Sequence, residues 1–161
     1  MLEALALAKK AMQLGETPVG AVIVKKSTGE IIGRGYNLRE GSRSALSHAE
    51  IIAIDQASRT LGGWRLLDSV IYVTLEPCPM CAGAIINARL DRVVFGAFDP
   101  KAGSFGSVVS LHQLPYNHRP EVDGGLLREK SAELLKDFFS SLRSGKREKK
   151  QIGSSPAINL K

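Results

Sequence analysis

The chain has 161 residues, 43% of them hydrophobic, enough for one domain with a sizeable core. It holds no apolar run long enough to span a bilayer and no charged start followed by an apolar core and a cleavage site, so neither a membrane protein nor a secreted one is expected. The net charge is +6, but six basic residues (Arg143, Lys146, Arg147, Lys149, Lys150, Lys161) against the single acid Glu148 crowd the last nineteen positions, so the body is close to neutral. A basic arm of this kind permits an RNA partner without requiring one.

The first predicted element is an amphipathic helix over 2–14, with Leu2, Leu5, Ala6, Ala8 or Lys9, and Met12 on its apolar stripe and Gly15 ending it. An apolar strand at 18–24, a turn at 27–30 and a second strand at 31–37 make an antiparallel hairpin. Residues 38–46 read as a surface loop. A helix at 48–61 ends at Gly62-Gly63, and a strand at 70–75 runs directly into a cysteine-bearing helix at 79–88. A strand at 92–97 follows, so the cysteine helix is a crossover between parallel neighbours. After a Gly/Ser loop at 103–107 come a loop at 115–120, a short strand at 121–123 and a last helix at 128–142. The apolar side of that helix carries Leu127, Leu134, Leu135, Phe138 and Phe139. From Ser144 the chain is polar and is expected to be disordered. The expected fold is α/β, with a mixed five-stranded sheet between two helical layers.

Two short stretches carry chemistry: His48-Ala49-Glu50, and Glu76-Pro77-Cys78-Pro79-Met80-Cys81, which contains both cysteines. Proline is tolerated at the first position of a helix, where its missing N–H costs nothing. That places Cys78 at the N-cap with Cys81 close beside it, where the helix N-terminus favours thiolates. Two thiolates and the imidazole of His48 would leave a tetrahedral zinc one open position, the mark of a catalytic site. Glu50 supplies a carboxylate able to take a proton from water and return it. Side chains two apart on a regular helix point in nearly opposite directions, so His48 must stand at the helix start, with Ser47 as the expected N-cap. Each piece has a plainer reading. Ser47-x-x-Glu50 is also a capping box, and Cys-x-x-Cys also suits a redox pair or half of a structural zinc site. Their joint occurrence favours a catalytic zinc; H-x-E paired with P-C-x-x-C is a known deaminase signature. Two cysteines committed to one motif fit a reducing, cytoplasmic setting.

The chain resembles the cytidine deaminase-like superfamily, most closely its bacterial tRNA-specific adenosine deaminases. The resemblance spans about residues 5–143 and is carried by Glu16-Thr17-Pro18-Val19-Gly20, Gly35-Tyr36-Asn37, the two motifs with the flanking Tyr72-Val73-Thr74-Leu75 and Ala82-Gly83-Ala84, Arg92-Val93-Val94-Phe95-Gly96-Ala97, and Asn117-His118-Arg119. It implies a three-layer α/β/α deaminase domain over 1–143, a basic tail over 144–161, and a homodimer with one zinc per subunit on His48, Cys78 and Cys81. It also implies hydrolysis of wobble adenosine to inosine in the anticodon loop of an arginine tRNA. Hydroxide on the zinc would attack C6 while Glu50 shuttles protons. Asn37, Ala49, Asp99, Phe139 and Arg143 match substrate-contacting positions. Asn37 and Asp99 are otherwise turn formers, and Phe139 is otherwise a core residue. His118 is expected to orient a loop. The stretch 41–47 lacks an Asp-Pro-Thr common in the family, and Phe98 and Phe105 stand where polar or small residues are common. Two rival readings are a deaminase of a free base or nucleotide, such as guanine, and a non-catalytic zinc-stabilised RNA-binding module. The intact Glu50 argues against the latter.

Overall fold

A computed structural model describes residues 1–152, with side chains through Ser144. Its five strands are β1 (Gly20–Lys25), β2 (Ile31–Tyr36), β3 (Ser69–Leu75), β4 (Arg92–Ala97) and β5 (Glu121–Gly124), in the spatial order β2-β1-β3-β4-β5. β1 is antiparallel to β2 and to β3, whereas β3, β4 and β5 run parallel, which makes the expected mixed sheet. Gly29, at φ +74, turns the β1–β2 hairpin with a backbone conformation that glycine adopts without steric cost. The helices are α1 (Leu2–Gln13), α2 (Arg39–Ser42), α3 (Ala49–Leu61), α4 (Pro79–Asn87) and α5 (Arg128–Ile152).

Strand alternation sends Ala21, Ile23, Ile71, Val73, Val93 and Phe95 to one face of the sheet, where they form the main core with α3 and α4. The other face carries α1 and α5. Two glycines decide how near α3 lies. A Cβ at Gly33 would overlap the Ala53 carbonyl oxygen, and one at Gly35 would overlap that of Ala49. Ala49, Ala53 and Ala57 are fully buried along the same side of α3, so helix and strand meet backbone to backbone. α1 uses the same device at Gly20, over Ala4 and Ala8.

That close seating corrects the expected stripe of α1. Its buried residues are Ala4, Leu5, Ala8 and Ala11, while Leu2 is 70% exposed. Small side chains win the inner face because the strand leaves no room for leucine beneath them. The loop at 38–46 contains the single turn α2, closed by Arg43 in the left-handed region at φ 53. The last helix does not stop at Leu142 but continues to Ile152, since Lys, Arg, Glu and Gln are strong helix formers and a lone Gly145 weakens a helix without breaking it. Part of the tail expected to be disordered is therefore helical, and residues 153–161 lie outside the described residues. Phe105 is a core residue, 4% exposed. No helix among the described residues is long and apolar enough to cross a membrane.

If α3 is held by its glycine seat, Gly35→Ala should lower stability by about 1–3 kcal/mol, the usual cost of overpacking. Gly63→Ala, where a Cβ meets nothing within 4 Å, should stay within about 0.5 kcal/mol of the parent. Urea denaturation of the two variants makes the comparison.

Candidate active site

His48 is the N-cap of α3, with extended backbone at φ −79 and ψ 152, and Glu50 lies in the first turn. The N-cap conformation frees His48 from the angular step of the helix, which lets both side chains reach one place. Ser47 does not cap the helix. Its hydroxyl is hydrogen-bonded to that of Ser42 at 2.7 Å and His48 takes the cap position, so the capping-box reading of Ser47 and Glu50 falls. Cys78 is the N-cap of α4 with Pro79 directly after it, as the sequence predicts. Two helix N-termini thus converge, and each contributes positive dipole to the space between them.

His48 Nδ1 lies 3.7 Å from Cys78 Sγ and 3.5 Å from Cys81 Sγ. A tetrahedral zinc, with Zn–S of about 2.3 Å and Zn–N of about 2.0–2.1 Å, separates sulfur and nitrogen ligands by about 3.5–3.6 Å. The two nitrogen–sulfur distances therefore match those of a tetrahedral zinc site, and among the described residues the three donors form the one His/Cys/Asp/Glu cluster able to hold a metal, their ligand atoms all within 4.8 Å of one another. Their protons are shared in a pattern suited to displacement by a cation. A hydrogen bond from the Cys81 thiol, helped by His48 beside it, brings the Cys78 thiol down to about 4 against its burial. The same bond to Cys78 pushes Cys81 upward, and the hydrogen bond to Cys78 raises His48. Metal binding would release the protons held on Cys81 and His48.

Glu50 is almost completely buried, and burial chiefly pushes its carboxyl up to about 7, with the charge on Cys78 adding to the rise. A carboxyl poised near neutrality can both accept and return a proton. It opens into a cavity of about 440 Å³ that is also lined by His48, Cys78, Asn37, Asp99 and Phe139. Cys81 lies buried behind this cavity. Ala49 does not line it. Its side chain is buried in the main core, which leaves its backbone N–H, at the first helical position, as the group it can offer. Arg143 is exposed one turn beyond Phe139 on the same side of α5. Phe139 is not the core residue its stripe suggests: Phe138 is buried, and Phe139 is 44% exposed at the cavity. His118 does not line the cavity, and its Nε2 donates to the Leu90 carbonyl oxygen at 2.7 Å.

Two buried carboxylates that the sequence reading left without a role hold the cavity walls. Glu16 accepts from Asn37 Nδ2 at 3.3 Å and from the N–H groups of Glu40 and Gly41 at 3.2 and 2.7 Å. It thereby orients Asn37 and caps α2 in one stroke. Glu76, just before the cysteine motif, accepts from the N–H groups of Asp99, Phe105 and Ser107 at 3.1, 3.1 and 3.0 Å, and from the Ser107 hydroxyl. Burial pushes its carboxyl up, but these donors outweigh it and hold the group below the usual carboxylate range. Neither role has a sequence signature, because the partners lie 21 to 31 residues away. Glu76→Ala would orphan several buried donors at about 1–3 kcal/mol each. It should lower stability accordingly and speed amide exchange at Phe105 and Ser107, read by mass spectrometry; unchanged exchange would remove the anchor.

The chain matches the MafB19-like deaminase family over residues 1–143. A tRNA-specific adenosine deaminase of Bacillus subtilis is 50% identical over 148 residues, covering 91% of each chain. A solved structure from a study of A-to-I editing by tRNA:A34 deaminases at the wobble position superposes with a TM-score of 0.78 at 43% identity, covering 82% of this chain and 95% of that one. A guanine deaminase from Bacillus subtilis shares the fold more distantly, with a TM-score of 0.57 at 32% identity over 72% of this chain and 83% of that one. With its paired H-x-E and P-C-x-x-C motifs folded into one site, this chain belongs to the MafB19-like deaminases and, among them, to the tRNA-specific adenosine deaminases.

Proposed function

We propose that this protein hydrolyses adenosine to inosine at the wobble position of tRNA, an arginine tRNA in particular, with one zinc per subunit held by His48, Cys78 and Cys81. The observation that carries the reading is the convergence of those three donors, with nitrogen–sulfur distances that suit a zinc, beside a buried Glu50 in an open cavity. When bound, zinc supplies the Lewis acidity that makes water a nucleophile at neutral pH.

The chain's own groups do the rest. Glu50 takes a proton from the attacking water as the new C6–O bond forms, and passes it to N1 of the purine. It then moves the second proton to the amino group, so that the C6–N bond breaks and ammonia leaves. Burial suits Glu50 to this shuttle, since a carboxylate in water would hold protons too weakly near neutral pH. Asn37 and Asp99 stand on the cavity walls to hold the inserted nucleotide, and the Ala49 N–H offers a donor at the helix start. Phe139 and Arg143, one turn apart on α5, face the surrounding RNA. The reacting base must leave its stack to reach the cavity floor, which favours an unpaired loop over a duplex.

A free-base deaminase would share the zinc and Glu50. The cavity mouth favours the polymer: Arg39 and Lys101 line it and join no ion pair among the described residues. Cations placed there suit phosphates flanking an inserted nucleotide. A cytoplasmic location belongs to the same proposal, supported by a tRNA substrate. A homodimer belongs to the same proposal, supported by α4, where Gly83 and Ala84 are only half-buried and a Cβ at Gly83 meets nothing within 4 Å of this chain.

Purified zinc protein incubated with an anticodon stem-loop bearing wobble adenosine should form inosine, scored by mass, and should leave free guanine, cytosine and adenosine unchanged. Turnover of a free base alone would overturn the substrate. Glu50→Ala should keep stoichiometric zinc and lose deamination by at least about 100-fold, the lower range for a lost general acid–base; Cys78→Ala should lose the metal itself and melt at a lower temperature. Light scattering should give twice the chain mass of 17.3 kDa, and a monomer at working concentration would remove the dimer.

A further inference from the structure

Phe98 stands where the resemblance leads one to expect a polar or small residue, and the mechanism above gives it no task. It follows β4 directly and is 42% exposed, although it sits at the mouth of the cavity that holds Glu50 and His48. Its ring is nevertheless firmly braced. Phe95, itself 1% exposed, meets it edge to face at 5.0 Å between centroids and 86° between planes. Gly124 and Gly125, at the end of β5, leave the space the ring occupies; a Cβ at Gly124 would lie 2.9 Å from the Phe98 ring. The Arg128 guanidinium, at the start of α5, lies 5.1 Å from the ring centroid. Phe98 lines the cavity and Arg128 does not, so part of the exposed ring borders the cavity.

A rigid aromatic surface held open to solvent beside a reaction site costs hydrophobic free energy and needs an occupant to recover it. The surroundings say which. Arg39 and Lys101 line the same mouth without carboxylate partners among the described residues, so a polyanion is favoured there. Unpaired bases stack on aromatic rings whatever their identity, since every base has a π-face. A base flipped into the cavity strips its neighbours of their own stacking partner, and the nearest replacement is this ring.

We propose that Phe98 is a stacking platform for the unpaired base flanking the reacting nucleotide, and so a binding determinant for loops over free nucleosides. The inference rests on the RNA reading of the site. The test measures binding of the anticodon stem-loop to zinc-loaded Glu50→Ala protein, which should bind without turnover, with Phe98 as wild type, Leu or Tyr. Phe98→Leu keeps apolar bulk against Phe95 but has no π-face. It should weaken binding by about 5- to 150-fold, the range for loss of one base–aromatic stack. Phe98→Tyr should restore affinity. The loss should appear in KM rather than kcat when Glu50 is intact. Stem-loops with an abasic site on either side of the reacting adenosine identify the partner. At one of them the Phe98 protein should lose affinity and Phe98→Leu should lose no more. Absence of such coupling at both positions, in a protein that binds and edits the intact stem-loop, overturns the platform alone. A wild type that neither binds nor edits the stem-loop overturns the RNA reading and the platform together.

Discussion

The site depends first on how near α3 can come to the sheet. Gly33 and Gly35 on one side, and Ala49, Ala53 and Ala57 on the other, remove every side chain that would hold helix and strand apart. With backbone against backbone, the first residues of α3 have no freedom to slide, and His48 and Glu50 are placed by that seat rather than by contacts of their own. Catalytic geometry tolerates errors of a fraction of an ångström, and a rigid packed scaffold is the usual means of holding it. The seat uses no polar group, so it adds no desolvation cost to a neighbourhood that already buries a carboxylate.

The second helix end, at α4, arrives by a different route. The parallel step from β3 to β4 needs a crossover, and that crossover begins immediately where β3 ends. Pro79 starts the helix without wasting a donor, and Cys78 takes the cap position, so two helix dipoles point at one small volume. In that volume negative charge is welcome on the Cys78 sulfur, while burial holds the Glu50 carboxyl near neutrality.

Around this centre the walls are loops, and loops need anchors. Glu16 and Glu76 meet that need with buried charge fully matched to donors, the form in which burying a carboxylate is tolerable. Each joins a wall of the cavity to a strand end, so the loop at 99–107 and the turn at α2 inherit the rigidity of the sheet. The same logic extends to the rim, where Phe98 is open to solvent yet fixed by Phe95 and the paired glycines behind it.

The sequence by itself determined the local facts: the strands and their alternation, the hairpin, the Cys78 cap with Pro79 behind it, and the need for His48 at a helix start. These follow from spacing and backbone preference, which act over a few residues. It did not determine that Ser47 turns to Ser42 instead of capping α3, that small residues take the inner face of α1, or that α5 runs on to Ile152. Only the tertiary structure decided what depends on distance across the chain. Glu76 finds its donors about thirty positions later, Glu16 orients Asn37 across a hairpin, and Phe139 leaves the apolar stripe for the cavity. A carboxylate or an aromatic ring has no periodic signature of its own. Its role is set by whichever donors, rings or voids the fold brings within reach.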